Sequence, residues 1–181
     1  MRFIQQRLEG VFLIEPSLVE DKRGVFHRHF CQREFERHGL LPEIRQCNVS
    51  ENHLKHTLRG FHYQSPPHGE GKTLSCLRGA IYDVVVDLRP ASATYRQWLS
   101  LELTEENRRS LYLPPGCANA FLTLEDRSTV FYCHSEFYAP GAEKGVRYDD
   151  PQFDFKWPHE PVVISDKDRS HPDYRDEGVL R

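Results

Sequence analysis

The sequence predicts an all-β domain, and three observations lead to that prediction. Aromatic side chains are frequent and methionine is rare, with 11 Phe, 8 Tyr and 2 Trp against a single Met. The 12 prolines and 11 glycines divide the chain into short segments. Several segments between residues 46 and 138 alternate apolar and polar side chains with period two, as strands do. Short strands with Pro/Gly turns and no intervening helical pattern are typical of a sandwich or a jelly-roll barrel.

Composition limits the function classes. The 181 residues fit one domain, and 24 Lys+Arg against 27 Asp+Glu give a formal charge of −3, unlike the basic footprint of a nucleic-acid binder. No apolar run approaches the ~20 residues of a membrane helix, and the first residues lack the apolar stretch of a signal peptide. The five cysteines are scattered and form no CxxC, so neither a disulfide framework nor a zinc cage is expected. We expect a single cytoplasmic domain over residues 1–181 that binds neither nucleic acid nor a membrane.

The central strands follow from the alternation of side chains. Thr73–Leu77 and Ala80–Leu88 flank Arg78-Gly79, which predicts a hairpin. On the second arm every even-numbered residue from 82 to 88 is apolar, so one face of that arm is expected to be wholly apolar. Trp98–Leu103 repeats the pattern, with its leucines on one face.

Three further strands complete the series, and helices are expected only at the periphery. The predicted strands are Ser110–Leu113, which ends at a Pro-Pro-Gly turn, Ala120–Leu124 and Ser128–Tyr138. Cys31–His38 is long enough for two helical turns closed by Gly39. Ser165 followed three residues later by Asp168 resembles a helix N-cap. The residues from about Pro172 are expected to form a polar tail on the surface.

The segment Thr57–Gln64 concentrates residues that could carry chemistry. On a regular strand His62 and Arg59 would point to opposite faces of the sheet. They line one pocket only if the strand is bulged, and Gly60 is a suitable place for a bulge. A histidine in a strand is more often a hydrogen-bonded core residue than a catalyst, so both interpretations stay open on pattern alone.

A second polar row follows the predicted strand Ser128–Tyr138. Period two places Tyr132, His134, Glu136 and Tyr138 on one face. Such a row could line the interior of a barrel, although the pattern alone favours an exposed sheet face.

Two groups of histidines are candidates for metal ligands. His27 and His29 would share a strand face, while His62, His68 and Glu70 loosely resemble the ligand set of metal-binding jelly-roll barrels. The ligand spacing is not met cleanly, so neither a metal nor another cofactor is predicted.

The most specific signal is an ordered set of short motifs that spans nearly the whole chain. In chain order these are Asp21-x-Arg23-Gly24-x-Phe26, Leu58-Arg59-Gly60-Phe61-His62-Tyr63-Gln64, Gly71-Lys72, Tyr82-Asp83-Val84-x-Val86-Asp87-Leu88-Arg89, Trp98, Glu105-x-Asn107, Pro114-x-Gly116-x-Ala118, Tyr138-Ala139-Pro140, Asp149-Asp150-Pro151, Trp157-Pro158 and Ser165-x-Lys167-Asp168. The set resembles the dTDP-4-dehydrorhamnose 3,5-epimerase family of nucleotide-sugar epimerases. The resemblance implies a metal-free cupin-type jelly-roll barrel, usually a homodimer with strands exchanged at the interface.

The resemblance also implies a reaction and roles for particular residues. The substrate class is a nucleoside-diphospho 4-keto-6-deoxyhexose, in which a hydrogen beside the ketone is acidic because the carbanion delocalises as an enolate. By similarity His62 is the base, and Asp168 orients it unless that carboxylate only caps a helix. Lys72 would stabilise the developing oxyanion, and Tyr132 would return the proton as the acid.

Further positions match the substrate contacts of the family. Arg23 and Arg59 would bind pyrophosphate or sugar oxygens, and Phe26 and Tyr138 would sandwich the base. The other matched binding positions are Gln46, Asn48, Glu143 and Lys167.

Three positions depart from the family pattern. Arg28 stands where Glu is usual, Cys47 where Asp is usual, and Asn119 where His is usual. The residues with catalytic roles are retained, which predicts an active enzyme with an altered pocket. The products of such an enzyme would feed O-antigen, capsule or natural-product sugars.

The departures leave alternatives open. Arg28 offers only donors, which would suit the acceptors of cytosine and hence a CDP-sugar. Loss of a titratable group at Asn119 could restrict the enzyme to C3 or C5, as in a CDP-4-keto-3,6-dideoxyglucose 5-epimerase. A 3,4-ketoisomerase, a non-catalytic nucleotide-sugar binding cupin and a metal-dependent oxygenase are the remaining rivals.

Overall fold

The computed structural model describes residues 1–175, and within them almost all regular structure is β-strand. The strands are β1 (Arg2–Gln5), β2 (Phe12–Glu15), β3 (Leu18–Asp21), β4 (Gly24–His27), β5 (Gln46–Glu51), β6 (Leu58–Gln64), β7 (Lys72–Arg78), β8 (Ala80–Asp87), β9 (Trp98–Thr104), β10 (Ser110–Leu113), β11 (Cys117–Thr123), β12 (Thr129–His134) and β13 (Glu143–Gly145). The helices are α1 (Gln32–Arg37) and α2 (Asp166–Arg169). Neither of these helices has the length and apolar character needed to cross a membrane.

Two antiparallel sheets form the barrel. One has the strand order β1-β2-β10-β7-β12-β5, and the other has the order β13-β6-β11-β8-β9. Strands β3 and β4 form a separate two-stranded hairpin. The predicted all-β jelly-roll fold with short peripheral helices is confirmed.

The main core lies between the two sheets. Leu74 and Leu111 from the six-stranded sheet share one buried cluster with Val85, Leu103 and Phe121 from the five-stranded sheet. Burial of these side chains is the main force that holds the sheets together.

A further apolar layer covers the outer face of the five-stranded sheet. Val84 and Val86 of β8 belong to this layer, together with Phe153 and Phe155 from the segment after β13. Phe61 stacks on Phe155 with ring centroids 4.4 Å apart. The predicted apolar face of β8 therefore points outward and is buried under the C-terminal segment.

Helix α1 covers the other sheet. Its Phe35 packs edge-on against Tyr112 of β10, with ring centroids 5.9 Å apart. The helix ends as predicted, because Gly39 adopts a φ of +69° just beyond it.

The predicted hairpin at Arg78-Gly79 is wrong. Strand β7 pairs with β10 and β12, whereas β8 pairs with β9 and β11, so the two arms belong to opposite sheets. Gly79 has a φ of +71°, and a Cβ there would lie 2.6 Å from the Ser128 hydroxyl. The glycine thus makes a tight corner between sheets, which has the same sequence signature as a hairpin turn.

Other predicted boundaries shift at the ends of strands. The strand predicted for Ser128–Tyr138 ends at His134, so Glu136 and Tyr138 lie in the following loop. The first four strands carry no clear alternation and were not predicted. The tail expected from Pro172 is described only to residue 175. In that part Tyr174 packs on Phe153, and residues 176–181 lie outside the described structure.

Candidate active site

A cleft opens between the two sheets, and most of the predicted site residues line it. Those that do are Gln46, Asn48, Arg59, His62, Lys72, Asn119, Tyr132, Tyr138 and Glu143. A second cleft shares Arg59 and His62 with the first and is lined also by Lys167 and Asp168.

His62 and Asp168 form a close pair. The His62 Nε2 atom lies 2.7 Å from Asp168 Oδ1, and the Gly60 N–H donates to the other carboxylate oxygen at 3.2 Å. Burial acts to raise the pKa of Asp168, but the hydrogen bond from His62 and the charge of His62 outweigh it and hold the pKa below its ordinary value. Ser165 caps α2 by accepting from the Asp168 N–H, so the carboxylate itself is free to bind His62 rather than cap the helix.

A bulge brings Arg59 and His62 into the same cleft. The register between β6 and β11 shifts between the pairs Asn119–His62 and Phe121–Arg59. Gly60 sits at the shift with a φ of +112°. The bulge that the sequence suggested at Gly60 is therefore present. Arg59 is held by its Nε donating to Asn52 Oδ1 at 2.7 Å.

Lys72 lies at the floor of the cleft and is 7% exposed. Its Nζ donates to Asn119 Oδ1 at 3.1 Å and lies 3.8 Å from Glu70. Burial lowers the pKa of Lys72, and the nearby carboxylates of Glu70 and Asp83 oppose that effect. A buried cation with a lowered pKa is suited to holding negative charge that develops on a substrate oxygen.

Asp83 continues this polar network, and the sequence assigned it no role. Its Oδ1 accepts from Asn119 Nδ2 at 2.9 Å, while its buried Oδ2 has no hydrogen-bond partner among residues 1–175. Burial raises the pKa of Asp83 to about 7, against the opposing effects of Asn119 and Lys72. The sequence does contain a sign of this site, because period two places Asp83 on the same face of β8 as the core residue Val85. A carboxylate among core side chains needs a polar partner, which indicates a buried polar network.

Tyr132 and His134 extend from β12 into the cleft. Burial raises the pKa of the Tyr132 phenol, so the hydroxyl keeps its proton. His134 Nδ1 lies 2.8 Å from Glu70 Oε2, and its Nε2 lies 3.3 Å from Asn48 Nδ2. The two members of the expected row that lie on β12 therefore line the cleft rather than an exposed face, whereas Glu136 of that row does not line it.

Glu70 and His134 are cleft residues to which the sequence gave no role in this site. Burial acts to raise the pKa of Glu70, but the hydrogen bond with His134 and the charge of Lys72 hold it below its ordinary value. The sequence contained evidence for both residues, because Glu70 stands two residues before Lys72 and His134 stands two residues after Tyr132.

Polar contacts organise the rim of the cleft. Lys167 Nζ pairs with Glu143 Oε2 at 2.6 Å, and the Tyr138 hydroxyl lies 3.4 Å from the same oxygen. The Tyr138 N–H donates to Gln46 Oε1. Tyr138 is 57% exposed and presents an open ring face at the entrance.

Three predicted residues do not reach the cleft of their own chain. Arg23 and Phe26 lie on the β3–β4 hairpin, where Phe26 is 72% exposed and Arg23 pairs with Asp21 at 2.6 Å. Arg28 follows the hairpin and lies 3.5 Å from Glu34.

Within residues 1–175 one group of side chains has metal-ligating atoms close together. The ligand atoms of His62, Asp168 and His171 lie within 4.8 Å of one another. Two of the three already form the His–Asp pair described above. The histidine sets weighed from the sequence, His27 with His29 and His62 with His68, do not form such a group.

The cleft combines a His–carboxylate pair, a buried lysine and a tyrosine whose pKa is raised, which are groups suited to moving a proton beside a carbonyl. The relatives that match this chain are epimerases, which places it in the isomerase class. The chain belongs to the dTDP-4-dehydrorhamnose 3,5-epimerase family, whose sequence model matches residues 5–176. The dTDP-4-dehydrorhamnose 3,5-epimerase of Methanothermobacter thermautotrophicus is 39% identical over 181 residues, covering 98% of this chain and 97% of the relative.

Solved structures agree with this assignment. The dTDP-4-dehydrorhamnose 3,5-epimerase of Elizabethkingia anophelis superposes with a TM-score of 0.93 at 33% identity and covers 98% of both chains. An epimerase from Legionella pneumophila, solved in complex with dTDP-4-keto-L-rhamnose, gives a TM-score of 0.88 at 34% identity and covers 94% of this chain and 90% of that one.

Proposed function

We propose that this enzyme epimerises a dTDP-linked 4-keto-6-deoxyhexose at C3 and C5. The observation that carries the proposal is the 2.7 Å contact between His62 and Asp168 in a cleft that also holds Lys72 and Tyr132. Family membership supports the substrate class, as does the dTDP-sugar bound to the Legionella relative.

His62 removes the proton beside the ketone. Its Nε2–H donates to Asp168, which leaves a lone pair on Nδ1 to accept the proton. The ionised Asp168 fixes the ring orientation and stabilises the imidazolium that forms.

Lys72 then stabilises the enolate oxygen. The lysine is buried, so its charge acts in a medium of low dielectric constant, where it is worth more than in water. Asn119 accepts from Lys72 and donates to Asp83, and so ties the cation to a buried carboxyl group.

Tyr132 returns the proton and completes the inversion. Its raised pKa keeps the hydroxyl protonated through the neutral range, as an acid requires. Arg59, Gln46 and Asn48 line the same cleft and contact the sugar nucleotide.

The CDP-sugar alternative gains no support. The matched relatives are named dTDP-4-dehydrorhamnose 3,5-epimerases, and one guanidinium nitrogen of Arg28 lies 3.5 Å from the Glu34 carboxylate. Asn119, which prompted the single-centre alternative, fills a defined bridging role between Lys72 and Asp83.

We also propose that the enzyme acts as a homodimer in which the β3–β4 hairpin completes the partner's cleft. The hairpin pairs with neither sheet and exposes Leu18, Val19 and Phe26 at 50%, 61% and 72%. Exposed apolar side chains on a projecting hairpin suit burial against a second copy. The scattered free thiols fit a reducing cytoplasm, and the product would feed O-antigen, capsule or natural-product sugars.

Isotope exchange tests the reaction. The enzyme is incubated in D2O with dTDP- and CDP-linked 4-keto-6-deoxyglucose, and deuterium at C3 and C5 is followed by NMR. We expect deuterium at both centres of the dTDP substrate. His62→Ala abolishes exchange, Tyr132→Phe retains exchange while blocking net inversion, and His53→Ala, an exposed control, exchanges normally. Exchange at one centre only would correct the proposal to a single-centre epimerase, and exchange with neither substrate would overturn it.

A mixing experiment tests the shared cleft. His62→Ala and Arg23→Ala chains are each inactive or weak, but in a hybrid dimer one cleft combines an intact His62 with an intact Arg23 from the other chain. Refolding the two together then restores about a quarter of the wild-type activity, since half the dimers are hybrids with one working cleft. If the hairpin serves its own chain, mixing restores nothing.

A further inference from the structure

Two cysteines face each other across neighbouring strands beside the cleft. Cys47 of β5 is the register partner of Cys133 of β12, and their Sγ atoms lie 3.6 Å apart. Both are free thiols.

The backbone geometry is compatible with a disulfide. Directly opposed residues of antiparallel strands have Cα atoms about 4.5–5.5 Å apart, inside the ~4.4–6.8 Å range of disulfides. The sulfurs need to approach from 3.6 Å to a bond length of about 2.05 Å, a distance that side-chain rotation and a small strand adjustment cover.

The two thiols differ in how easily a reagent reaches them. Cys47 is exposed, whereas Cys133 is 8% exposed and lies behind it. Burial raises the pKa of Cys133 to about 12, so this sulfur keeps its proton until it reacts, and the exposed Cys47 is the thiol that an oxidant in solution meets first. An exposed thiol that lies next to a buried one can be oxidised first, and the buried thiol can then act as the resolving cysteine that closes the disulfide.

We propose that Cys47 and Cys133 form an oxidative modification site that reacts with hydrogen peroxide and closes to an intrachain disulfide. Peroxide first converts the Cys47 thiol to a sulfenic acid with release of one water. The Cys133 sulfur then attacks the sulfenic sulfur, the S–O bond breaks, and the hydroxyl leaves with the Cys133 proton as a second water. A dithiol reductant reverses the reaction.

The position of the pair couples it to the cleft, a step that rests on the proposed function. Gln46 and Asn48 flank Cys47, while Tyr132 and His134 flank Cys133, and all four line the cleft. Within the residues that the structure describes, strand β5 is the last strand of its sheet and pairs with β12 alone. A bond between the strands therefore shifts side chains of the cleft, and shifts near 1 Å can lower a rate by about 100-fold. We expect the oxidised enzyme to epimerise more slowly.

The chemistry is tested without substrate. The full-length reduced protein is treated with hydrogen peroxide, blocked with an alkylating agent, digested without reductant and analysed by mass spectrometry. We expect a Cys47–Cys133 cross-linked peptide that has lost two hydrogens and that dithiothreitol resolves. Cys47→Ser and Cys133→Ser each abolish the cross-link, and Cys31→Ser, a control at the start of α1, leaves it unchanged. Over-oxidised Cys47 beside an alkylated Cys133 would overturn the proposal.

Activity provides the second readout. The exchange rate with the dTDP substrate is expected to fall on peroxide treatment and recover with dithiothreitol, and Cys47→Ser is expected to be insensitive to peroxide. A cross-link that leaves the rate unchanged would overturn the coupling to the cleft. Because the cross-link is mapped without substrate, its failure is distinguishable from a failure of the proposed epimerase reaction.

Discussion

At the scale of single residues, the least expected feature is a carboxyl group in the barrel core. Asp83 is fully buried, and one of its oxygens has no hydrogen-bond partner in the described part of the chain. Its other oxygen meets Lys72 only through the amide of Asn119. A neutral amide cannot transfer a proton as histidine does, so Asn119 connects Lys72 to Asp83 without adding a titratable group.

This arrangement predicts that Asp83 makes stability depend on pH. The pKa of Asp83 is about 7 in the folded protein and near 3.8 when unfolded, so between these values the folded state keeps a proton that the unfolded state has released. Rising pH in that window therefore favours unfolding. The Asp83→Asn variant cannot ionise at this position, so it does not lose stability by this route as the pH rises. The free energy of unfolding of the variant, measured by urea denaturation from pH 4 to 8, should rise relative to wild type as pH increases.

The comparison between the two proteins isolates Asp83 from the other titrating groups. Asp126→Asn, whose carboxylate accepts from the exposed Lys55 N–H, provides a surface control that should show no such trend. If the free energies of unfolding of Asp83→Asn and wild type differ by the same amount at every pH, Asp83 is ionised in the folded protein throughout the range and the prediction is wrong.

At the scale of elements, the bulge in β6 determines which side chains reach the cleft. The bulge needs a glycine at position 60, because the Cβ of any other residue would lie 2.5 Å from the Asn119 carbonyl oxygen and 2.7 Å from Ala120 Cα. Without the extra residue, Arg59 and His62 would lie on opposite faces of the sheet.

Gly60→Ala is therefore expected to destabilise the barrel by about 2–4 kcal/mol, combining backbone strain at positive φ with a steric clash. Gly141→Ala is the matched control, because Gly141 has a φ of +88° but nothing within 4 Å of a built Cβ. That control should lose only about 1 kcal/mol. Urea unfolding of both variants measures the difference, and equal losses would assign the whole effect to backbone conformation.

The individual strands also show which parts of the fold can be predicted from the sequence. Strands β9 and β10 were predicted almost to the residue, because alternation marks the buried side of β9 and a Pro-Pro-Gly turn ends β10. Alternation does not report the partner strand, so the corner at Gly79 was indistinguishable from a hairpin turn. The positions of His62, Lys72 and Tyr132 followed from family resemblance. The link from Lys72 through Asn119 to Asp83 did not follow from it, since the pairing of the strands brings those residues together.

At the scale of the whole molecule, the C-terminal segment builds part of the cleft from outside the barrel. Phe155 stacks on Phe61 and on Phe153, which anchors the segment to the outer face of the five-stranded sheet. Further along, the Leu58 N–H donates to the Val163 carbonyl at 2.8 Å. These contacts place α2, and with it Asp168, next to His62 on β6.

Phe155→Ala should therefore weaken the fold and the site together. Loss of a 9% exposed aromatic ring costs about 3–5 kcal/mol, which lowers Tm by roughly 10 °C in a chain of this length. Val162→Ala, at a 68% exposed position of the same segment, should change stability by less than about 0.5 kcal/mol. Thermal unfolding measures both.

At a temperature where the Phe155 variant stays folded, its exchange rate should still fall, because the segment that positions Asp168 has lost its anchor. An unchanged exchange rate would mean that the contacts near Val163 position Asp168 without the aromatic layer.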